Sequence, residues 1–97
     1  MTLKHVAWLK FKGGVSAEKI ERHLEACHGL VAKVPSLDNL ECGPNTTDRA
    51  GGFTHGIIVT VADRAALDAY LKHPAHVPVA DALVADVAEI RVMDIEV

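Results

Sequence analysis

Residues 53–76 read FTHGIIVTVADRAALDAYLKHPAH, and this stretch contains two regular elements and a cluster of polar side chains. Apolar and polar residues alternate from 53 to 61, which predicts a strand with one buried side. Asp63 can cap a helix after this strand, and Pro74 ends that helix because proline cannot continue the hydrogen-bond ladder. The stretch therefore predicts a strand followed by a helix, with Tyr70 on the helix face that packs inward.

The first strand is predicted from the alternating segment KHVAWLKFK at residues 4–12. Its odd-numbered residues, including His5, should face the core of the chain, as should His55 of the later strand. On the even-numbered side, Val6 and Trp8 form an apolar centre flanked by lysines. This pattern is typical of a surface onto which a partner sheet docks.

A long helix is predicted from Ser16, whose hydroxyl can cap its start, to Pro35, which stops it. Its apolar residues recur at three- and four-residue steps and should cover the sheet. They are Ile20, Leu24, Cys27, Val31 and Val34, with His23 and Leu30 beside them. The rest of the chain is predicted to form a short strand at 37–43, a polar loop at 43–52, one or two short helical turns at 77–83 and a last strand at 87–96.

The predicted element order, βαββαβ, is that of the ferredoxin-like α+β fold, in which two helices cover one face of a four-stranded antiparallel sheet. Residues 1–97 should form a single domain. The uncovered face would expose Val6, Trp8 and Ile58 in a monomer, so we expect a homodimer that packs sheet against sheet. A second copy would also add buried surface, because so short a chain buries only about 60% of its unfolded surface.

Composition excludes several classes of partner. A formal net charge of −3 provides no basic stripe for nucleic acid. No apolar run approaches the roughly 20 residues that cross a membrane, and the N-terminus has no signal-peptide pattern. The two cysteines are few and set in apolar segments, as in reduced proteins of the cytoplasm. We therefore expect a cytoplasmic protein that binds neither nucleic acid nor membranes.

Three segments resemble the stress-responsive A/B barrel domain family, a branch of the dimeric α+β barrel superfamily: KHVAWLKFK, FTHGIIVTVADRAALDAYLKHPAHVPVAD and VMDIEV. The resemblance covers essentially the whole chain and implies a dimeric α+β barrel. A plant polyketide cyclase of this family folds a linear poly-β-keto thioester by intramolecular aldol condensation. Its catalytic histidine and tyrosine correspond to His76 and Tyr70, and its other histidines correspond to His5, His55 and His73.

The chemistry of these side chains fits that implication. A neutral imidazole can remove a proton between two carbonyls, and a phenol can stabilise the enolate or alkoxide that forms. We predict His76 as the catalytic base and Tyr70 as the catalytic donor. Asp94 shares one side of the last strand with Ile90 and Val92, from which it can accept a hydrogen bond from an imidazole and fix its tautomer. The residues predicted to bind substrate are His5, His55, His73, His23, Leu24, Cys27 and Asp94.

Each of these residues also has a structural interpretation. A histidine near a strand end is commonly a packed or solvated side chain, and His73 can offset the helix dipole. A non-catalytic, stress-related module that binds a small molecule therefore remains the alternative function. Metal binding is disfavoured, because Pro74 separates His73 from His76 and no carboxylate or cysteine stands at ligand spacing with them. We predict no metal and no cofactor.

Overall fold

The structure, a computed structural model, describes all 97 residues. Its strands and helices are, in chain order, β1 (Leu3–Phe11), α1 (Ala17–Gly29), β2 (Leu37–Pro44), β3 (His55–Val61), α2 (Arg64–Lys72), α3 (His76–Asp86) and β4 (Val87–Glu96). A short 3-10 helix at Leu30–Ala32 follows α1 directly. The sheet order is β2-β3-β1-β4, with every neighbouring pair antiparallel. This topology confirms the predicted ferredoxin-like α+β fold.

Both predicted helix caps are present. The Ser16 hydroxyl accepts a hydrogen bond from the backbone N–H of Lys19 at 3.1 Å, and the Asp63 carboxylate accepts one from the N–H of Ala66 at 2.8 Å. These contacts satisfy backbone donors that the first helical turn leaves free. The longest helix, α1, has 13 residues, and none of the helices has the length and apolar character needed to cross a membrane.

The segment after α2 differs from its prediction. In place of one or two short turns at 77–83, α3 runs for 11 residues from His76 to Asp86. Pro78 lies in the first turn of α3, where a backbone N–H has no partner inside the helix, so proline does not interrupt it. The longer helix extends the layer that covers the sheet.

Phe53 lies outside the strand in which it is predicted. β3 begins at His55, and the Phe53 ring packs edge-on against Trp8 with 6.0 Å between ring centroids. Trp8 is on the even-numbered side of β1, opposite the helices. The Phe53 ring therefore joins the uncovered face of the sheet and not the core.

The two faces of the sheet have different surroundings. The helix-covered face packs into a core whose largest fully buried side chains are Leu9, Leu30, Leu67, Val34, Val59 and Val61. On the other face, strand pairing places Ile58, Val6 and Met93 in one row across the sheet. Trp8 is 48% exposed and Met93 is 63% exposed. We call this surface, formed around Val6, Trp8, Ile58 and Met93, the open face.

Candidate active site

A cavity of about 270 Å³ lies between the helix-covered side of the sheet and the helices. Three side chains with polar groups reach it: His5 from β1, Tyr70 from α2 and His76 from the start of α3. The other lining residues are Ala7, Leu9, Cys27, Leu30, Ile57, Val59, Leu71, Val79, Ala80, Leu83, Val84, Ile90 and Val92. A few polar groups in an otherwise apolar space are the arrangement that small-molecule sites commonly have.

Tyr70 contributes a free hydrogen-bond donor to the cavity. It lies in the last turn of α2, one helical turn beyond Leu67, and is 4% exposed. No hydrogen bond joins its hydroxyl to another protein group. Burial disfavours the phenolate and raises the pKa of Tyr70 well above its usual value. The side chain is therefore a protonated phenol at physiological pH.

His76 is held as a neutral base beside this phenol. Its ring centroid lies 4.4 Å from that of Tyr70, and its Nδ1 atom lies 3.0 Å from the Leu71 carbonyl oxygen. Because a carbonyl only accepts hydrogen bonds, Nδ1 carries the proton and Nε2 keeps its lone pair. Burial lowers the pKa of His76, and the neighbouring His5 also lowers it, against the opposing effect of the Leu71 hydrogen bond. A neutral imidazole with a fixed tautomer can act as a general base.

His5 is oriented by a carboxylate from the neighbouring strand. The register of β1 and β4 sets His5 beside Asp94, and the His5 Nδ1 and Asp94 Oδ1 atoms are 2.6 Å apart. The second oxygen of that carboxylate lies 3.7 Å from the guanidinium of Arg64. The carboxylate accepts a hydrogen bond from Nδ1, so Nε2 is the nitrogen of the His5 ring that Asp94 does not occupy. The structure thus brings Asp94 to an imidazole that lines the cavity.

The structure separates His55 from the other three polar groups. β1 and β3 pair His55 with Leu9, and Val59 with His5, so the two histidines share a face but stand four residues apart along the strands. The His55 Nδ1 atom lies 2.9 Å from the Thr54 hydroxyl. Burial lowers the pKa of His55. Its side chain is not part of the cavity lining.

The remaining predicted pocket residues mostly have other neighbours. The His23 Nε2 atom lies 2.7 Å from Asp86 Oδ2. The His73 Nδ1 atom accepts a hydrogen bond from the backbone N–H of Ala75. Leu24 is buried in α1. Of the three predicted α1 residues, Cys27 alone lines the cavity. Burial raises the pKa of its thiol to about 11, so it is uncharged at neutral pH. No three His, Cys, Asp or Glu side chains form a group that could hold a metal ion.

Two contributors to the site are missing from the sequence interpretation. The first is the Leu71 carbonyl, which fixes the tautomer of His76, and a backbone group leaves no side-chain signal in a sequence. The second is α3, which lines the cavity with residues that include Val79 and Leu83. Their four-residue spacing is a helical signal that the prediction of short turns does not use.

A larger hollow of about 420 Å³ opens at the end of β2 and β3 and reaches the open face. Gly43 and Gly56 pair across the strands within it, and Trp8 is part of its wall. Neither Tyr70 nor His76 reaches it. Tyr70 and His76 are therefore confined to the smaller cavity, and His55 is the predicted site residue that lines the larger hollow.

Comparison with known proteins identifies the family. The family described as the stress responsive A/B barrel domain matches residues 3–97. The stress-response A/B barrel domain-containing protein HS1 of Arabidopsis thaliana is 31% identical over 94 residues, which cover 95% of this chain and 86% of HS1. Olivetolic acid cyclase of Cannabis sativa is 30% identical over 83 residues, which cover 84% of this chain and 82% of the cyclase. A dimeric ferredoxin-like protein of unknown function from Jannaschia sp. CCS1 superimposes with a TM-score of 0.87 at 31% identity, and the match covers 100% of each chain. The chain belongs to the stress-responsive A/B barrel domain family.

Proposed function

We propose that this chain is a small dimeric enzyme that acts on a keto or polyketide-like compound by acid–base catalysis, through aldol cyclisation or lyase-like cleavage. The observation that carries the proposal is the pairing of a fixed-tautomer imidazole, His76, with an unpartnered phenol, Tyr70, in an apolar cavity. A general base and a hydrogen-bond donor must reach the same small molecule, and these two rings are in contact. Similarity to olivetolic acid cyclase supports the same class of reaction.

The proposed reaction begins with proton transfer to His76. Its Nε2 atom removes a proton from a carbon between two carbonyls, and the electron pair of that C–H bond moves onto a carbonyl oxygen. The Tyr70 hydroxyl donates a hydrogen bond to the oxygen as it becomes negative. The enolate carbon then attacks a second carbonyl of the same molecule, and the new alkoxide takes the proton back from His76. Protons balance over the cycle, and the reverse sequence cleaves a carbon–carbon bond.

His5 supplies a second acid–base group in this proposal. Its Nδ1 proton is held by Asp94 at 2.6 Å, and a carboxylate in that position stabilises the imidazolium that forms when Nε2 accepts a proton. His76 is backed by a backbone carbonyl and has no such negative partner. The carboxylate therefore orients the His5 ring toward the cavity, while His76 takes the proton and returns it.

We further propose that the homodimer forms through the open face. Val6, Trp8 and Ile58 lie on one side of the sheet, and no helix covers them. An exposed apolar patch of this kind is common where two copies pack together. The neighbouring hollow at Gly43 and Gly56 leaves room for side chains of a second copy. The dimeric state of a relative of equal length supports a homodimer.

The proposal is tested by deuterium exchange at the carbon between the two carbonyls of methyl 3-oxooctanoate, followed by NMR at low buffer concentration. Wild-type protein should accelerate the exchange. His76→Gln and Tyr70→Phe should each reduce this acceleration by about 100-fold or more. His28→Gln is the matched control, because it removes an exposed imidazole of α1 that lies outside the cavity lining.

Circular dichroism and light scattering establish that each variant keeps its fold and its dimer. Unchanged exchange in both the His76 and the Tyr70 variants would refute the catalytic assignment. Binding of the ester with no acceleration of exchange by wild-type protein would favour the alternative function, a non-catalytic module that holds a small molecule.

A further inference from the structure

A group of charged side chains meets the C-terminal end of α3, outside the cavity lining. Asp86 is the last residue of this helix, and its side chain is 15% exposed. The Asp86 carboxylate accepts hydrogen bonds from His23 Nε2 at 2.7 Å and from Lys19 Nζ at 3.3 Å. Lys12, which directly follows β1, donates its backbone N–H to the Asp86 carbonyl oxygen at 2.8 Å and its Nζ to the Ala85 carbonyl oxygen at 2.9 Å. The last two residues of α3 are therefore held from α1 and from the end of β1.

The charge of Asp86 would be unfavourable at this position without its partners. The C-terminal end of a helix carries partial negative charge, so a carboxylate there needs cations nearby. α3 has no basic residue in its own last turn, and the lysines that compensate the charge come from other elements, as Lys12 and Lys19. The His23 ring is 9% exposed and stacks on Phe11 with 6.1 Å between ring centroids. The carboxylate therefore joins α3 to a ring that is itself fixed by packing.

Packing alone holds α3 weakly. Leu83 is the one residue of this helix that belongs to the buried core, and Val84 beside it is 55% exposed. Ala75, which precedes the helix, provides no side-chain cap. At this N-terminal end the His76 ring bonds to the Leu71 carbonyl oxygen at 3.0 Å. Polar contacts at its two ends therefore fix the helix, and the charged contacts are all at the C-terminal end.

The part of α3 next to Asp86 forms one wall of the cavity. Leu83 and Val84 line the cavity, and they lie only about 3–5 Å from Asp86 along the helix axis. His76 lies about 15 Å from Asp86 along the same axis and has its own hydrogen bond to α2. Release of the Asp86 side chain should therefore displace the wall at Leu83 and Val84 more than it displaces His76.

We infer that Asp86 is a positioning residue, whose contacts with Lys19 and His23 fix α3 against α1 and thereby set the wall of the cavity at Leu83 and Val84. The inference rests on the proposed function only for the kind of molecule that this wall contacts. It adds a group outside the cavity on which the affinity of the cavity depends, and it gives His23 a role through Asp86 instead of through the substrate.

Asp86→Ala tests this role against a control that also costs stability. The substitution removes both side-chain contacts of Asp86, while Ser16→Ala removes the hydrogen-bonded cap of α1 and leaves α3 unchanged. Each should lower the melting temperature by about 4–8 °C, and circular dichroism identifies a temperature at which both variants are folded. Asp86→Asn keeps an acceptor oxygen for His23 and loses the charge, so it is the milder variant if Asp86→Ala does not fold.

Two measurements on the folded variants separate positioning from stability. Titration with methyl 3-oxooctanoate should show binding about fourfold weaker or worse in Asp86→Ala, which is the effect of losing the burial of one methylene. Ser16→Ala should bind the ester as the wild type does. Amide hydrogen exchange of residues 80–86, measured by mass spectrometry relative to residues 24–29 of α1, should become about tenfold faster in Asp86→Ala and stay unchanged in Ser16→Ala. Asp86→Asn should change both quantities in the same direction by a smaller factor.

Amide exchange at residues 80–86 that is no faster in Asp86→Ala than in Ser16→Ala would overturn the anchoring of α3. Unchanged affinity for the ester in Asp86→Ala would overturn the effect on the cavity wall. Neither measurement requires catalysis. If wild-type protein binds the ester without accelerating the exchange of its carbon-bound proton, the catalytic proposal fails while the role of Asp86 is still decided by these two measurements. If exchange of that proton depends on His76 but Asp86→Ala behaves as Ser16→Ala does, the positioning role fails and the catalytic proposal stands.

Discussion

Replacing Tyr70 by phenylalanine should separate stability from catalysis in this cavity. Tyr70 is 4% exposed and its hydroxyl has no partner in the protein, so Tyr70→Phe keeps the buried ring and removes only a polar group. A fully buried polar group without a partner costs about 1–3 kcal/mol. Ser36 Oγ is such a group, whereas the Tyr70 hydroxyl is not fully buried. The hydroxyl borders a cavity that a water molecule can enter, which reduces this cost. We therefore expect the free energy of unfolding to stay the same or to rise by about 1 kcal/mol.

The effect of the same substitution on catalysis should have the opposite sign. Loss of one donor to a developing oxyanion lowers the rate about 100- to 1,000-fold in enzymes that use such donors. A ground-state carbonyl carries much less negative charge than the oxyanion, so the affinity for methyl 3-oxooctanoate should change by less than about threefold. Tyr70→Phe should thus yield a protein that is at least as stable as the wild type, binds the probe and exchanges its protons slowly.

Urea unfolding followed by circular dichroism measures the stability, at one fixed protein concentration because the dimer contributes to it. Tyr70→Leu is a useful second variant, since it also removes the ring and should cost about 2–4 kcal/mol. Destabilisation of Tyr70→Phe by more than about 1 kcal/mol would show that the hydroxyl has a partner in the folded protein. An unchanged exchange rate in Tyr70→Phe would show that the phenol is not the donor. Either result refutes the reasoning.

Three other predictions concern pH, packing and assembly. Because burial lowers the pKa of His76, this base should stay neutral in mild acid. The pH at which acid halves the exchange rate should therefore lie below about 6.5, the usual pKa of histidine. A midpoint above that value would contradict the assignment of His76 as the base. Hydrogen bonds from His23 and Lys19 lower the pKa of Asp86 in the folded protein. The Asp86 charge therefore stabilises the fold fully above the pKa of an unfolded aspartate, about 3.9. This stabilisation is lost as the pH falls through the lower pKa that Asp86 has in the folded protein. Asp86→Asn should therefore lower the melting temperature at pH 7 and leave it nearly unchanged in strong acid. An equal decrease at both pH values would exclude the Asp86 charge as the cause. Apart from its chain neighbours, the atom nearest to a Cβ at Gly56 would be the Ala7 carbonyl oxygen, at 3.9 Å. Gly56→Val should therefore preserve the folded chain but obstruct the hollow, and light scattering should show a shift from dimer toward monomer. An unchanged dimer would show that no partner side chain occupies the hollow.

Much of the fold follows from local patterns in the sequence. Period-two alternation indicates β1 and β3, and side-chain caps at Ser16 and Asp63 mark two helix starts. The main error is the prediction of one or two short turns at 77–83, where α3 forms a continuous helix with Pro78 in its first turn, a position at which proline is tolerated. Phe53 fits the alternation, but it precedes the first paired residue of β3. Periodicity alone does not say where pairing begins.

The candidate site depends on strand register, which the sequence does not reveal. Alternation places His5 and His55 on the same side of the sheet, and this is correct as far as facing is concerned. The side of the sheet on which a residue lies does not determine its position along the strand. The register of β1 and β3 puts the two histidines four residues apart. The register of β1 and β4 instead brings His5 directly beside Asp94. Pairing between distant segments is set by the whole sheet, so no local pattern could distinguish these two outcomes.

Strand alternation also separates assembly from chemistry in this chain. His5 points into the cavity, while Val6, the next residue, points to the open face. Docking of a second copy therefore acts on the site through the backbones of β1, β3 and β4. Tyr70 and His76 stand on helices at the far side of the sheet. The partner should add stability by covering apolar surface without contributing a group to the reaction. A monomeric Gly56→Val protein that remains folded should accordingly retain most of the exchange activity per chain. If activity falls in proportion to the fraction of dimer that is lost, the site is completed across the interface.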